Sequence, residues 1–599
     1  MVRRRPDSRR AIQPARQGQW SPPWLAILTG GAVLWGVAAA WRRAWLSDDA
    51  YISFRYAENL TNGLGLVFNR GERVEGYSNF LWTILTAVGM KLGAGPEGWS
   101  LLWGLTCYAA SIVILALIAR RLAGGTAGAV VVPVGALLAA LHPAWNYFAT
   151  SGLETSFFTF LALLGFFVVT TKGARPAAIA GAIFALLAMT RPDGPILALP
   201  AGLYVLLARR GTHRRWGRAR AVLFFGVTFA VLWIPYTLWR VSYYGSFFPN
   251  TYYAKSANLA WWSQGFTYVG LYALKYWALL LGVPLGVAAL FWRIRSVAPQ
   301  AVGRACTDAG PGLLALALLA SYTLYVARVG GDFMFARFLI PVTPFLLVLT
   351  DLGLQRLLGR RPLALAGATA ALALCMLVTP DPITGTAVRN GITNEWAYYS
   401  PKYAASVRAS GETIRPYLEG LPVRMIFAGG EARVIYYSKV AAAVECVTGL
   451  TDSAIAHQPL TRRGRVGHEK QPSADYLLGR SRANLVMGFT EFKALGLQPR
   501  IPTVAAMMGD HTAYIIRWEP ELVAGLLDRG ARVYDLPAAL DAYLATVEAQ
   551  PDSAVAETYR QMKLLYLDPA GDRAREAVFL RRMGRSGGAG RAPERAGPR

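Results

Sequence analysis

Residues 24–56 read WLAILTGGAVLWGVAAAWRRAWLSDDAYISFRY, and this stretch decides the fold. The run 24–41 carries no charged side chain and is close to the ~20 apolar residues that a helix needs to cross a bilayer. An adjacent carboxylate pair, Asp48 and Asp49, follows within a few residues. The pattern predicts a membrane-spanning helix that leads into an acidic loop at the membrane surface.

Similar apolar runs recur outward along the chain as far as Pro380. They predict about eleven transmembrane helices, at 24–41, 100–119, 127–142, 155–171, 177–190, 194–208, 221–240, 272–292, 311–328, 338–355 and 362–378. The apolar stretch Phe80–Leu92 is too short to cross the membrane, and we expect an interfacial or re-entrant helix there.

Basic residues set the expected orientation of these helices. The arginine-rich segment 1–23 is expected to be a cytoplasmic tail, and alternate loops then carry the Lys and Arg clusters, as the positive-inside rule requires. This topology places a first outer loop at 42–99 and a C-terminal domain outside the cytoplasmic membrane. It predicts a multi-pass protein of that membrane.

The composition supports a membrane protein and argues against a nucleic-acid-binding protein. Only 16% of the 599 residues are charged, although the formal net charge is +27. A surplus this large is typical of nucleic-acid binding, but the basic residues are concentrated in the tail and the predicted cytoplasmic loops. They are best explained as orientation signals, so we expect no nucleic-acid partner.

Acidic residues show the opposite distribution. Only twelve precede Asp381, and the predicted topology puts nine of them on the outer side. Arginines and aromatic residues share that side, which is the composition of a site for a sugar and an anionic leaving group. The expected substrate-binding residues are Tyr51, Arg55, Glu75, Tyr77, Asn79, Glu154, Arg191, Asp193, Tyr252, Asp332 and Arg337.

Asp48 and Asp49 are the expected catalytic pair. One carboxylate could act as a general base on an acceptor hydroxyl while the other orients the sugar, because successive side chains do not face the same way. Two alternatives stay open. The pair could hold a divalent cation, or it could simply cap the helix that begins near Ala50.

Simpler structural roles also exist for the other charged residues. Glu154 could be a helix cap, Arg191 and Asp193 could pair across a tight turn, and Asp332 could pair with Arg337. The two glycines beside Asp332 would also let a phosphate approach the backbone closely.

These loop motifs resemble those of a known group of enzymes. The segments DDAYI at 48–52 and EGYSNFLW at 75–82 resemble the GT-C superfamily of polyprenol-dependent membrane glycosyltransferases, and most closely the terminal arabinofuranosyltransferases of the mycobacterial cell wall. The resemblance implies a GT-C helical core over 24–379. It also implies that Asp48 and Asp49 match the essential acidic pair of the family.

The reaction implied by the resemblance is transfer of a sugar, with D-arabinofuranose as the candidate, from a polyprenyl-phosphate donor to a hydroxyl of a cell-envelope glycan. No other cofactor is implied, apart from the divalent cation left open above. A transporter or flippase of lipid-linked sugars is the alternative, although such proteins place polar groups near the bilayer midplane and often contain internal repeats. A glycan-binding anchor without catalytic activity would not need eleven helices.

Residues 380–582 have the charge density of a soluble domain, and their pattern is α/β. Strands are expected at 423–428, 442–447, 484–487 and 512–518, with a helix at 431–438. Polar stretches at 448–457 and 462–470 would suit an acceptor glycan, although a solvated loop is the simpler interpretation. The Gly- and Arg-rich segment 583–599 is expected to be disordered.

Overall fold

A computed structural model describes residues 23–123, 131–171, 173–207, 215–295, 302–428, 430–470, 472–487 and 503–586. The predicted basic tail and most of the predicted disordered tail lie outside these ranges. The last helix continues to Ser586, so the boundary predicted at 583 is wrong by one helical turn.

The N-terminal half is helical, and its elements are numbered in chain order. They are α1 Pro23–Arg42, α2 Asp49–Thr61, α3 Phe80–Lys91, α4 Pro96–Ala123, α5 Val134–Leu141, α6 Pro143–Phe148, α7 Thr155–Val169, α8 Ala174–Thr190, α9 Pro195–Leu207, α10 Arg215–Tyr244, α11 Asn250–Ala254, α12 Trp262–Lys275, α13 Trp277–Leu280, α14 Gly282–Arg295, α15 Val302–Val329, α16 Thr343–Leu358 and α17 Pro362–Val378.

Six helical stretches within the described ranges are long and apolar enough to cross a membrane, and several shorter apolar helices accompany them. The six are Trp24–Arg42, Pro96–Leu122, Ala219–Tyr244, Trp277–Arg295, Ala309–Val329 and Ile340–Leu358. α16 is the central helix, since every side chain from Thr343 to Leu354 is buried. The chain is therefore a multi-pass membrane protein, as predicted.

One of the eleven predicted spans is not a single helix, since the stretch predicted at 272–292 is divided among α12, α13 and α14. The span predicted at 127–142 ends as expected, because His142 adopts an extended backbone before Pro143, but among its described residues α5 covers only Val134–Leu141. The short helix expected at Phe80–Leu92 is present as α3.

A mixed sheet with flanking helices forms the C-terminal part. Its elements are β1 Val388–Arg389, β2 Ile392–Thr393, α18 Pro401–Leu418, β3 Arg424–Phe427, α19 Ala432–Ser438, β4 Ala442–Glu445, α20 Ser453–Ala456, β5 Leu485–Met487, β6 Val504–Met508, β7 His511–Ile515, α21 Pro520–Asp528, β8 Arg532–Val533, α22 Leu536–Ala545, α23 Asp552–Met562, α24 Asp568–Ala570 and α25 Arg573–Ser586.

Six of these strands form one sheet, in the order β4-β3-β5-β7-β6-β8. β3 is parallel to β4 and β5, whereas the other pairs are antiparallel. The four predicted strands and the helix after β3 are all present. β6 and β8 were not predicted from the sequence.

The loop after α1 packs directly against this sheet domain. Arg55 donates hydrogen bonds to Val440 O at 2.8 Å and Ile435 O at 3.3 Å, and Asn69 pairs with the backbone of Ala443 at 2.9 and 3.0 Å. Gly76 allows a close approach, because a Cβ there would lie 2.5 Å from the Leu450 carbonyl oxygen. The interface brings residues of the helical core and of the sheet domain to one cavity.

Candidate active site

A cavity of about 190 Å³ lies between the loop ends of the helical core and the sheet domain. Nine of the thirteen residues predicted for the site line it. They are Asp48, Asp49, Tyr77, Asn79, Glu154, Arg191, Asp193, Tyr252 and Arg337. Residues more than 280 positions apart in the sequence therefore meet at one site.

Asp49 is the carboxylate of the pair that remains accessible. Its side chain is 39% exposed, and Oδ2 lies 3.8 Å from Arg337 Nη1, which is too long for a hydrogen bond. Burial raises the pKa of Asp49, and the charge of Arg337 acts against that rise. A carboxylate with a raised pKa that lines a cavity is suited to act as a general base.

Asp48 has a different role, because both of its oxygens are occupied. Oδ2 accepts the backbone N–H of Ala432 at 2.8 Å, and Oδ1 accepts that of Arg433 at 2.9 Å. Asp48 makes no side-chain capping bond to α2, so the alternative that it caps its own helix is wrong. It instead caps α19 of the sheet domain and fixes that domain beside Asp49.

We predict that Asp48→Ala lowers the free energy of unfolding by about 1–3 kcal/mol, because two buried N–H donors lose their acceptor. Thermal unfolding of the detergent-solubilised protein measures this loss. Glu557→Ala is the control, because Glu557 is an exposed carboxylate paired only with residues of its own helix. Equal melting temperatures for the two variants would show that the hydrogen bonds from Ala432 and Arg433 to Asp48 do not stabilise the protein.

Glu154, Arg191, Asp193 and Arg337 form the charged wall of the cavity, and Glu154 contacts both arginines. Its carboxylate contacts Arg191 at 2.8 Å and Arg337 at 3.4 Å, and it accepts a hydrogen bond from Asn79 at 3.0 Å. Burial alone would raise the pKa of Glu154, but Arg337 and Arg191 outweigh it and lower the pKa to about 2. Glu154 makes no capping bond to α7, so it is an ionised anchor and not a helix cap.

Arg191 is fully engaged within this wall. It forms a bidentate pair with Asp193 at 3.0 and 2.9 Å in addition to its bond with Glu154, and Tyr322 donates to Asp193 at 2.8 Å. The predicted Arg191–Asp193 pair is present.

Arg337 and Lys255 are held less tightly. Arg337 lies 3.5 Å from Asp332, and its buried Nε has no hydrogen-bond partner among the described residues. Lys255 Nζ lies 3.8 Å from Asp332 and is 32% exposed. The two cations therefore retain donor capacity on the cavity side.

The backbone beside both cations is in the left-handed region. Ser256 has φ +47° and Ala336 has φ +66°, values that non-glycine residues rarely adopt. Such conformations persist only where the surrounding structure enforces them, and they are concentrated at functional sites. Both unusual conformations lie next to the cations that line the cavity.

Four predicted residues do not line the cavity. Arg55 holds the sheet domain, Tyr51 donates a hydrogen bond to Glu97, and Glu75 pairs with Arg240 at 2.8 Å. Asp332 is completely buried behind Lys255 and Arg337. The structure therefore gives these side chains supporting contacts and not positions on the cavity surface.

Two charged residues of the lining, Lys255 and Glu445, were not selected from the sequence, whereas His468 belongs to the polar stretch 462–470 that was expected to suit an acceptor glycan. Glu445 accepts backbone N–H groups of Thr448 at 2.7 Å and Gly449 at 2.8 Å, so it shapes a loop. Burial lowers the pKa of His468 to about 4, which makes it neutral near pH 7. Lys255 had a detectable signal, because a lysine in a predicted outer loop runs against the positive-inside rule.

A divalent cation does not fit the aspartate pair in this arrangement. Both Asp48 oxygens accept backbone N–H groups, and Arg337 is the nearest charge to Asp49. Across the described ranges, no group of three His, Cys, Asp or Glu side chains is placed to hold a metal ion.

Solved structures with the same architecture share little sequence with this chain. ArnT from Cupriavidus metallidurans bound to undecaprenyl phosphate superposes with a TM-score of 0.53 at 14% identity, covering 82% of this chain and 98% of that one. An Archaeoglobus fulgidus oligosaccharyltransferase gives 0.50 at 11% identity, covering 86% and 76%. The chain has the GT-C fold.

Curated relatives are similar over part of the chain. A terminal β-(1→2)-arabinofuranosyltransferase of Mycobacterium tuberculosis is 34% identical over 354 residues, which is 55% of each chain. The enzyme of the same name from Corynebacterium glutamicum is 32% identical over 53% of this chain and 49% of its own. The chain thus spans about half the length of the relatives it matches. No family model matches it.

Proposed function

We propose that this protein is a membrane glycosyltransferase that moves a sugar, with D-arabinofuranose as the first candidate, from a polyprenyl-phosphate donor to a hydroxyl of a cell-envelope glycan. The observation that carries the proposal is the cavity, in which the accessible Asp49 faces two incompletely paired cations. The names of the relatives support the sugar, and undecaprenyl phosphate in the ArnT structure supports the class of donor.

The chemistry assigns a task to each group. The oxygen of the acceptor hydroxyl attacks the anomeric carbon, the bond from that carbon to the phosphate oxygen breaks, and polyprenyl phosphate leaves. Asp49 accepts the proton of the hydroxyl. Lys255 and Arg337 bind the phosphate and stabilise the negative charge that develops on it as the bond breaks.

Glu154 and Asp193 hold Arg191, and Glu154 also orients Arg337. These ion pairs keep the wall rigid, so the cations need little rearrangement when the donor binds. Tyr77 and Tyr252 line the same cavity and offer aromatic surface to the sugar. The proposed site lies on the outer side of the cytoplasmic membrane.

The test is transfer by the purified full chain. Polyprenyl-phosphate donors carrying radiolabelled arabinofuranose, mannose or glucose are incubated with an oligosaccharide acceptor, and products are separated by size. Labelled oligosaccharide supports the proposal. Movement of the labelled donor across vesicles without formation of a glycosidic bond would establish the transporter instead.

For the donor phosphate, we predict that Lys255→Met raises KM for the polyprenyl-phosphate sugar by about tenfold, because one charge-assisted contact is worth roughly 1.4 kcal/mol. Initial rates at varied donor concentration measure it. Lys402→Met is the matched control, since Lys402 is an exposed lysine on α18. Equal KM values for the two variants would contradict the proposal that Lys255 binds the donor phosphate.

A further inference from the structure

A second cavity of about 380 Å³ lies between the start of α4, the segment before α2 and the sheet-domain helices α18 and α19. Its chemically distinctive lining residues are Trp45, Tyr51, Glu97, Tyr399, Arg408 and Arg433. The volume is within the range of small-molecule sites. None of these residues lines the first cavity.

Arg433 places a buried cation beside this second cavity. It is only 3% exposed, and its guanidinium lies over the Tyr51 ring at 4.7 Å and over the Tyr399 ring at 5.8 Å. Nη2 donates to Leu46 O at 3.0 Å, but the buried Nε has no partner among the described residues. Arg433 therefore borders the cavity with a buried guanidinium whose hydrogen bonding is incomplete.

Glu97 adds an acceptor to the same lining. Its Oε1 accepts the hydroxyls of Tyr51 and Tyr437, the latter at 2.6 Å, while Oε2 lies 3.7 Å from Arg408 Nη1. That distance exceeds hydrogen-bond length, so both Oε2 and the half-exposed Arg408 retain bonding capacity. A carboxylate and guanidinium groups therefore border the same space.

This combination selects for a neutral polyhydroxyl ligand. Sugar hydroxyls both donate and accept, so they suit a lining that combines Glu97 with Arg408 and Arg433. The aromatic side chains of Trp45 and Tyr399 belong to the same lining. Because Arg408 and Arg433 outnumber Glu97 in the lining, an anionic lipid headgroup is the competing ligand that the test below must distinguish.

A hydrogen bond links a residue of the second cavity to a residue of the proposed reaction site. The backbone N–H of Arg433, whose side chain lines the second cavity, donates to Asp48, which lines the first. We propose that the second cavity binds a sugar residue of the acceptor glycan away from the reacting hydroxyl. This proposal rests on the proposed function, because it assumes a glycan acceptor.

The test uses substitutions on one face of α18. Ala405 is exposed and lines the second cavity, so Ala405→Trp fills the space without disturbing buried contacts. Ala409→Trp adds the same ring one turn further along, at an exposed residue outside the lining. Both variants are made in the full chain and solubilised in detergent.

Binding is measured first, by saturation-transfer difference NMR with arabinofuranosyl, mannosyl and glucosyl hexasaccharides. We expect at least one hexasaccharide to bind wild type and Ala409→Trp equally, and Ala405→Trp about tenfold more weakly. Absence of binding to all three sugars, or equal binding by both variants, would overturn the proposal. So would binding of phosphatidylglycerol nanodiscs that only Ala405→Trp weakens.

Kinetics then separates this proposal from the proposed function. Ala405→Trp should raise KM for a hexasaccharide acceptor by about tenfold, leave KM for a disaccharide unchanged and leave kcat unchanged. If no variant and no wild type transfers sugar, the glycosyltransferase proposal fails, while the NMR result still decides whether the second cavity binds a glycan. Equal KM changes for both acceptors would overturn the extended acceptor site.

Discussion

Asp49→Asn is expected to lower kcat by about 10²–10⁴, because the amide cannot accept the proton of the acceptor hydroxyl. The side chain keeps its size, so the cavity and the Asp48 clamp on α19 stay intact. Radiolabel transfer under saturating donor and acceptor measures kcat, and thermal unfolding confirms that the protein is folded. Donor binding should change little, because Lys255 and Arg337 remain.

Asp510→Asn is the matched control for this variant. Asp510 is an exposed aspartate in the turn between β6 and β7 and belongs to neither cavity lining. Its replacement should leave kcat at the wild-type value. If Asp49→Asn retains more than about a tenth of wild-type kcat, a 10²-fold general-base contribution is contradicted.

The pH dependence of the wild-type protein gives an independent check on Asp49. Burial raises the pKa of this carboxylate above its ordinary value of 3.8. Because the base must be ionised to accept a proton, kcat/KM should fall as pH decreases through the raised pKa. The acidic limb of the profile should therefore lie above pH 3.8, and a flat profile down to that pH would exclude Asp49 as the base.

Helical architecture was largely predictable from hydrophobic runs, and the exceptions have a local cause. The helix end predicted at His142 is present, because the chain leaves the helical conformation there before α6 begins at Pro143. The span at 272–292 is broken at Tyr276 and Leu281, although Lys275 is its only charged residue. Hydropathy measures burial and does not register such breaks.

The roles of neighbouring charges were less predictable. The sequence places Asp48 beside Asp49, but only the contact with Ala432 and Arg433, more than 380 residues away, shows that Asp48 is a structural clamp. Arg55 and Glu75 were selected by residue type, and tertiary contacts assign them to the sheet domain and to Arg240. Residue type alone does not distinguish a ligand contact from an internal ion pair.

Glu154→Ala is expected to lower the free energy of unfolding by about 3–5 kcal/mol, because it leaves two buried arginines without their shared partner. Arg191 and Arg337 are both about 9% exposed, so solvent compensates them poorly. Glu154→Gln should cost less than the alanine variant, since its amide oxygen still accepts hydrogen bonds from Asn79 or an arginine. Chemical denaturation in detergent measures the change.

A double variant distinguishes uncompensated charge from a simple loss of packing. If the cost of Glu154→Ala comes from lost charge compensation, then Glu154→Met combined with Arg337→Met should be more stable than Glu154→Met alone, because one of the two cations that lost this shared partner is also removed. If the double variant is less stable than the single variant by the full effect of Arg337→Met, the two side chains act independently. In that case the Glu154 carboxylate would not compensate the charge of Arg337, and its proposed role in orienting Arg337 would be contradicted.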